Sequence, residues 1–238
     1  MDILGANSPV LMDLLSEELK AKLIAIATLV RYSDGQLIHN RGDMSPSLKI
    51  VKSGQIQSGV IGTDGDFGHF AVINPGVCLG DPMLFGGLPR ILDCFSIGDT
   101  ELYLISAKKF NALFDDEPEL ARAFLRIANI RLHGFIEFID DLRRLTLLAR
   151  TAKLLLSMSK TGVSSTIFTF SQTELAMTLG VSRVSLGTTL QKLAKLKLIE
   201  IGYRQISVPN IEKLASWVEK NSQVMPIMSD VPSRNKTR

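Results

Sequence analysis

The spacing of hydrophobic residues changes along the chain of 238 residues and divides it into regions. Over residues 11–30, leucine and isoleucine recur every three or four positions, which predicts an amphipathic helix. From residue 31 to about 106, short β-rich stretches alternate with glycine, proline, asparagine and aspartate. Strands separated so closely by turn residues favour a small β-sandwich, roll or barrel. From residue 116 onward the helical spacing returns.

A long helix is predicted over residues 116–145. Asp116 and Glu119 have the spacing of a capping box, and Pro118 suits a first helical turn. Two apolar stripes run along this helix, and the first has the heptad spacing of a two-chain seam. The members of this predicted dimer seam are Ala121, Phe124, Ala128, Arg131, Phe135, Phe138, Leu142 and Leu145.

The second apolar stripe of the long helix is expected to pack on the chain's own β-rich region. It consists of Leu125, Leu132, Ile136 and Ile139. The alternative to a dimer seam is an intramolecular core helix that is apolar on both sides.

Two short helices with a turn between them are predicted around Gly180. Ser171 and Glu174 have capping-box spacing, and Gly180 can adopt the positive φ that ends a helix. Ser182 can then cap a second helix.

Ala176, Gly180 and Leu186 fit the A-x3-G-x5-[ILV] spacing of a helix-turn-helix, because a small residue, a turn residue and an aliphatic residue let the two helices pack. A hairpin predicted over residues 199–208 would form a wing, and a closing helix is predicted over residues 210–220. A generic helical hairpin is the alternative.

The outward face of the second predicted helix carries side chains suited to a DNA major groove. Arginine can bond guanine, serine and threonine can bond bases or phosphates, and valine can contact a thymine methyl group. Nearby lysines and arginines would contact phosphates, among them Lys195 and Lys197. The predicted DNA-binding residues are Ser171, Thr173, Ser182, Arg183, Val184, Ser185, Thr188, Thr189, Lys192 and Arg204.

The modest net charge of +3 conceals a strong asymmetry. Residues 1–145 hold 14 Lys and Arg against 19 Asp and Glu, a net charge of −5, whereas residues 146–238 hold 13 against 5, a net charge of +8. A basic C-terminal part attached to an acidic N-terminal part is typical of a DNA-binding module joined to a second domain.

The order of a β-rich region, a long helix and a winged helix-turn-helix over residues 10–210 resembles the Crp/Fnr family (cyclic-AMP receptor protein / fumarate–nitrate reductase regulator). Gly80–Asp81, followed by Leu84–Phe85, Gly87 and Pro89–Arg90, resembles the phosphate-binding cassette of that family. The stretch ISAKKFNALFDDEPELARAF resembles the segment that leads into the family's dimer helix. The stretch SRVSLGTTLQKLAKLKLIE resembles its recognition helix and wing.

The resemblance implies an α+β fold with an N-terminal double-stranded β-roll, a cyclic-nucleotide-binding-like jelly roll, over residues 1–115. It implies a dimerisation helix over 116–145 and a winged helix-turn-helix over 146–220. Residues 221–238 hold two prolines and little periodicity, which predicts a disordered tail. The resemblance also implies a homodimeric transcription regulator that binds a palindromic operator on double-stranded DNA, works with RNA polymerase and responds to an effector. We predict that Arg183 reads a guanine in each half-site.

The effector-binding residues that the resemblance implies are Gly80, Asp81, Arg90, Ile91, Phe135 and Ile136. Members of the family that bind cyclic AMP typically have Glu after the glycine and Ser or Thr after the arginine. Here Asp81 is one methylene shorter and Ile91 cannot donate a hydrogen bond, while Phe135 and Ile136 stand near positions where adenine-contacting hydroxyls are expected. Each lost hydrogen bond to a charged group costs about 1.5–3 kcal/mol. We therefore expect an effector other than cyclic AMP. In that case the alternative to effector binding by Asp81 and Arg90 is a structural salt bridge between them in a remodelled pocket.

The sequence gives little support for an iron–sulfur or haem sensor. Cys78 and Cys94 are too few for an iron–sulfur cluster, and we predict no metal site. His39, His69 and His133 are expected to be surface or packing residues rather than haem ligands. The effector therefore stays unidentified.

Other classes of protein find less support in the sequence. No nucleophile, P-loop or Rossmann motif indicates an enzyme. The N-terminus lacks a basic signal region and no apolar run is long enough for a membrane span, so we expect a cytoplasmic protein without a membrane partner. The remaining alternative is a cyclic-nucleotide-binding regulatory protein without a DNA role.

Overall fold

A computed structural model describes residues 10–159, 166–168, 172–203 and 205–222. The predicted DNA contacts Ser171 and Arg204 lie outside the described residues, as do the predicted loop over 161–165 and all of the predicted tail beyond residue 222. The side chains of Thr173 and Glu174 also lie outside the description, so the predicted capping box is untested.

The N-terminal helix is shorter than the sequence predicts. A 3₁₀ turn spans Leu11–Leu14, α1 spans Glu17–Ile26, and β1 spans Thr28–Tyr32. The helix prediction to residue 30 was wrong because the residues after α1 pair with a neighbouring strand instead. Ser16 separates the two helical pieces, and its side chain accepts a hydrogen bond from the Leu19 amide.

An antiparallel β-roll follows from the alternation of β-branched stretches and turns. Its further elements are β2 (Leu37–His39), β3 (Ser47–Ile61), β4 (Phe67–Ile73), β5 (Cys78–Leu79), the short helix α2 (Asp81–Gly86) and β6 (Asp93–Ser106). The strand order is β1-β6-β3-β4, with β2 also paired to β6 and β5 to β3. The long strands β3 and β6 pair along most of their length, from Ser47↔Ser106 to Gly59↔Asp93, and form the centre of the sheet.

Two apolar clusters fill the N-terminal part. One lies within the roll and includes Val51, Ile56 and Ile73. The other joins α1, the sheet and the helices that follow it, with Phe110 at its centre. Because successive strand residues point to opposite faces of the sheet, Ile50 belongs to the second cluster and Val51 to the first.

Two helices follow β6 and continue the second cluster. Helix α3 spans Ala107–Asp116, and the long helix α4 spans Pro118–Arg144. The predicted capping box at Asp116 and Glu119 was wrong. The N-cap residue is Glu117, without a side-chain capping bond, and the Glu119 carboxylate instead accepts hydrogen bonds from the Ser16 amide at 2.5 Å and its hydroxyl at 3.0 Å.

The second apolar stripe of α4 does not pack inward as the sequence predicts, and part of the predicted seam is buried instead. Phe124 is 5% exposed and packs edge-on against Phe110, with ring centroids 5.5 Å apart, so it belongs to the chain's own core rather than to a seam. Leu120 and Ile127 are fully buried beside it. The stripe expected to pack inward is exposed, at 64% for Leu125, 57% for Leu132, 60% for Ile136 and 55% for Ile139.

The other seam residues divide between these environments. Ala128 and Leu142 are exposed, whereas Phe135 and Phe138 are half-buried. Leu145 is 9% exposed at the end of α4, where the backbone turns to an extended conformation. Arg131 instead pairs with Asp81, the first residue of α2.

The C-terminal part has its own helical core. It contains α5 (Leu147–Met158), β7 (Thr166–Phe168), α6 (Gln172–Leu179), α7 (Arg183–Lys195), β8 (Glu200–Gly202), β9 (Gln205–Val208) and α8 (Ile211–Asn221). The strands form an antiparallel sheet in the order β7-β9-β8. Leu155, Leu186, Leu190 and Leu214 are fully buried where the helices meet. Within the described ranges, no helix is both long enough and apolar enough to cross a bilayer.

We expect Phe124→Ala to lower the free energy of unfolding by about 3–5 kcal/mol, because the substitution leaves a cavity in the aromatic cluster. Urea denaturation measures this change. Arg126→Ala is the matched control, since Arg126 lies on the exposed side of the same helix and should change stability by less than about 0.5 kcal/mol. Equal effects of the two substitutions would place Phe124 outside the core.

Candidate functional site

The turn between α6 and α7 depends on one glycine and one serine. Gly180 has φ +65°, in the left-handed region that a side chain disfavours, and its position ends α6. The Ser182 hydroxyl accepts a hydrogen bond from the Ser185 amide at 3.2 Å and so caps α7. Ala176 and Leu186 are buried between the helices, as the predicted helix-turn-helix spacing requires.

The outward face of α7 presents most of the predicted DNA-binding side chains to solvent. Those exposed are Ser182, Arg183, Val184, Ser185, Thr188 and Lys192. Gln191, one turn beyond Thr188, is also exposed on this face and was missed by the sequence analysis. Its signal was the seven-residue spacing from Val184.

The assignment of Thr189 to the outward face was wrong. Thr189 is 6% exposed, and its hydroxyl donates to the Ser185 carbonyl at 2.8 Å. The Thr189 side chain faces the core near Leu186 and Leu193. Its hydrogen bond to the Ser185 carbonyl replaces the bond to water that the hydroxyl loses on burial.

The predicted hairpin over residues 199–208 is present as β8 and β9, which pair from Glu200↔Ser207 to Gly202↔Gln205. Ile206 is buried against the helices and holds the hairpin to them. Tyr203, at the tip, is 91% exposed. A hairpin beside the second helix of a helix-turn-helix has the position of a wing.

A second candidate site is a cavity of about 350 Å³ between the roll, α2 and α4. Such a volume is at the lower end of the range for small-molecule sites. Its lining residues are His39, Ser58, Ile73, Cys78, Leu79, Gly80, Asp81, Pro82, Met83, Leu88, Pro89, Arg90, Ile91, Leu92, Cys94, Arg131 and Phe135.

Arg90 lies deep in the cavity wall and is held by backbone oxygens. Its guanidinium donates to the Ser47 carbonyl at 2.7 Å and to the Ser45 carbonyl at 3.4 Å. Gly80, with φ +107°, allows this arrangement, because a side chain there would collide with the Ser47 carbonyl and the Arg90 guanidinium. Burial lowers the pKa of Arg90 from its usual value.

Asp81 does not pair with Arg90, so the alternative interpretation of these two residues as a structural salt bridge was wrong. Asp81 pairs with Arg131 at 2.8 Å, and both side chains are nearly buried. Arg131 also donates to the Cys78 carbonyl at 3.2 Å. Arg131 was predicted for the dimer seam. Its long side chain instead reaches the Asp81 carboxylate and joins α4 to the start of α2.

Three further groups at the cavity wall are neutral at physiological pH. His39 is 8% exposed, and burial together with the nearby Lys49 lowers the pKa of its imidazole to about 3. Burial raises the pKa of the Cys78 and Cys94 thiols to about 12, so both remain protonated. Among the other histidines, His69 stacks edge-on against Phe67, and His133 is exposed.

The structure brings five of the six predicted effector-binding residues to this cavity, namely Gly80, Asp81, Arg90, Ile91 and Phe135. Ile136 does not line it. Since successive helical residues point about 100° apart, Ile136 faces solvent while Phe135 faces the cavity. Arg131 and His39 also line it but were not predicted, because they come from segments far apart in sequence.

Known protein families match the two parts of the chain separately. The cyclic nucleotide-binding domain matches residues 29–117, and the Crp-like helix-turn-helix domain matches residues 149–217. The chain belongs to the Crp/Fnr family. This membership confirms the predicted fold class and identifies a transcription regulator with a helix-turn-helix DNA-binding domain, rather than an enzyme.

Curated relatives agree with this Crp/Fnr assignment, and a solved structure shares the fold. The CRP-like cAMP-activated global transcriptional regulator of Mycobacterium tuberculosis is 22% identical over 192 residues, which cover 78% of this chain and 86% of the relative. The cyclic AMP receptor protein of Thermus thermophilus is 25% identical over 177 residues, covering 74% of this chain and 82% of the relative. A structure of a CooA mutant from Carboxydothermus hydrogenoformans matches with a TM-score of 0.72 at 16% identity, covering 91% of this chain and 99% of that one.

A buried lysine next to the cavity predicts a pH dependence of stability. The Lys49 ammonium donates toward His39 Nδ1 at 3.3 Å, and burial together with Arg90 lowers the pKa of Lys49 from 10.5 to about 8. Between these values the folded state has lost a proton that the unfolded chain keeps, so stability rises with pH across this window.

We expect Lys49→Met to remove this rise, which amounts to at most about 1.4 kcal/mol per pH unit. Urea denaturation from pH 7 to 10.5 measures it as the difference from the unsubstituted protein. Lys52→Met, at an exposed ion pair on the same strand, is the control and should keep the rise. Parallel stability curves for the protein and Lys49→Met would show that Lys49 titrates normally.

Proposed function

We propose that the protein is a homodimeric, sequence-specific transcription regulator that binds a palindromic operator and contacts RNA polymerase in the cytoplasm. The observation that carries this proposal is the exposed face of α7, where Arg183, Val184, Ser185 and Thr188 stand together next to the wing. These groups match the donors and apolar contacts that read base edges in a major groove. The Crp-like helix-turn-helix match stands against the alternative of a regulatory protein without a DNA role.

The exposed stripe of α4 supports the homodimer. Leu125, Leu132, Ile136 and Ile139 are all more than half exposed, and Ala128 and Leu142 extend the same stripe. Apolar residues at this spacing on a long helix are typical of a two-chain seam, and an exposed apolar stripe of this length marks an interface. We therefore propose this stripe, rather than the seam first predicted, as the contact between two copies.

The cavity supports control by a small molecule bound between the roll and α4. The two curated relatives are described as activated by, or receptors of, cyclic AMP. In this chain the cavity offers Ile91, Leu92 and Phe135 where a cyclic nucleotide would need hydrogen-bonding groups. We propose that the effector is not cyclic AMP.

Selection of bound DNA from a random pool tests the proposal directly. We expect recovery of a palindrome with a guanine in each half-site, equally with and without cyclic AMP. Recovery of random sequences would contradict sequence-specific binding. A palindrome recovered only with cyclic AMP would contradict the proposed choice of effector.

On the recovered operator, Arg183→Ala should cost about 1–3 kcal/mol of binding and relax the preference at one base pair of each half-site. Binding assays on operators altered at that base pair measure this loss. Lys192→Ala is the comparison, because loss of a phosphate contact weakens all sequences alike and lowers the salt slope by about 1. A uniform loss for Arg183→Ala would identify Arg183 as a phosphate contact instead.

We expect Ile136→Glu to convert the dimer to a monomer, because it places a charge in the centre of the proposed seam. Sedimentation velocity measures the molecular mass. Ile61→Glu introduces the same change at an exposed isoleucine of β3, at 45% exposure, and should leave the dimer intact. A dimeric Ile136→Glu protein would exclude this stripe as the interface.

A further inference from the structure

The cavity between the roll, α2 and α4 is lined by more positive than negative charge. Its charged lining residues in the described part of the chain are two cations, Arg90 and Arg131, and one carboxylate, Asp81. The Lys49 ammonium adds to this surplus from behind His39. His39 itself contributes no charge, because its imidazole is neutral at physiological pH. Because Asp81 is paired with Arg131 and the hydrogen bonds of Arg90 go to neutral oxygens of Ser45 and Ser47, the cavity favours an anionic guest.

Both arginines also hold unused donors. The Nε–H groups of Arg90 and Arg131 are buried, and neither has an acceptor among the described residues. Arg90 is 7% exposed, and the Arg131 side chain is 11% exposed. An unsatisfied buried donor is destabilising, and an anion in the cavity would supply the missing acceptors. Arginine forks bind carboxylates particularly well, because two parallel hydrogen bonds fit the planar group.

Apart from Ser58, the neutral His39 and the two cysteines, the remainder of the cavity wall is apolar. Ile73, Leu79, Met83, Leu88, Leu92 and Phe135 line it. A guest that fills about 350 Å³ therefore buries hydrocarbon against most of this wall, with its polar group confined to the end at the two arginines. A purine or a sugar would leave its hydrogen-bonding groups without partners against these side chains.

We propose that the cavity binds a small monocarboxylate with an apolar body, whose carboxylate is held between Arg90 and Arg131. The ligand carboxylate takes acceptor positions that Asp81 alone does not fill. Arg131 lies on α4, so the ligand contacts the helix that carries the proposed dimer seam. The regulatory part of this inference rests on the proposed function, whereas the ligand class rests on the cavity alone.

Calorimetric titration of the full chain tests the ligand class with matched probes. The probes are butyrate, octanoate and 4-phenylbutyrate, each compared with its alcohol and its amine. We expect at least one of the larger two carboxylates to bind about tenfold to a hundredfold more tightly than its alcohol, with no measurable binding of the amine. Butyrate should bind more weakly than both larger acids, because it buries less apolar surface. If no carboxylate binds more tightly than its alcohol, the proposal is wrong.

Substitutions in the chain separate the anion site from the apolar wall. Arg131→Gln should lose at least about tenfold of the carboxylate affinity and leave alcohol binding unchanged, which also reports an intact cavity. Arg131→Lys should restore part of the loss, and Asp81→Asn should tighten carboxylate binding because it removes the competing acid. Arg126→Gln, exposed on the same helix, is the matched control and should change nothing. Equal affinities in the protein, Arg131→Gln and Asp81→Asn would overturn the proposal.

The two levels of the proposal fail separately. Operator binding is measured with and without the tightest carboxylate. A carboxylate that binds but leaves operator affinity unchanged supports the ligand class and contradicts effector control through this cavity. Selection of a specific operator by a protein that binds none of the carboxylates supports the regulator and contradicts the ligand class.

Discussion

The packing of α4 on the roll is the constraint on which the rest of the structure depends. This helix buries one face, at Leu120, Phe124 and Ile127, in the same cluster as Phe110. Its other apolar face is not covered by any of the residues that the structure describes. Because the inner face is fixed by aromatic packing, the position of Arg131 over the start of α2 and the direction of the outer stripe are fixed as well.

Periodicity showed that α4 has two apolar faces but could not show which partner each face meets. Phe124 belongs with Phe85, Phe110 and Phe114, and those rings come from segments that no local pattern connects to α4. The capping prediction at Glu119 failed for the same reason, because a distant serine offered the carboxylate better donors. The helix-turn-helix was predictable, since Ala176, Gly180 and Leu186 act on one another over a few residues.

The cavity was predicted in part. Gly80, Asp81, Arg90 and Ile91 lie close together in sequence, so the resemblance to a known cassette was enough to identify them. The partner of Asp81 is 50 residues away, and a pairing at that distance depends on the packing of α4 rather than on spacing. Ile136 shows the limit of the helical spacing argument, because a shift of one residue moves a side chain from the cavity to solvent.

The length of α4 has a mechanical consequence. From Arg131 to its last residue the helix extends about 20 Å, at 1.5 Å per residue, and beyond that end the chain turns at Leu145 into α5. Lys153 of α5 bonds Asp141 of α4 at 2.7 Å across this turn and joins the two helices. A tilt of a few degrees about the Arg131–Asp81 contact is therefore amplified to more than an ångström at the base of the helical core that carries α7.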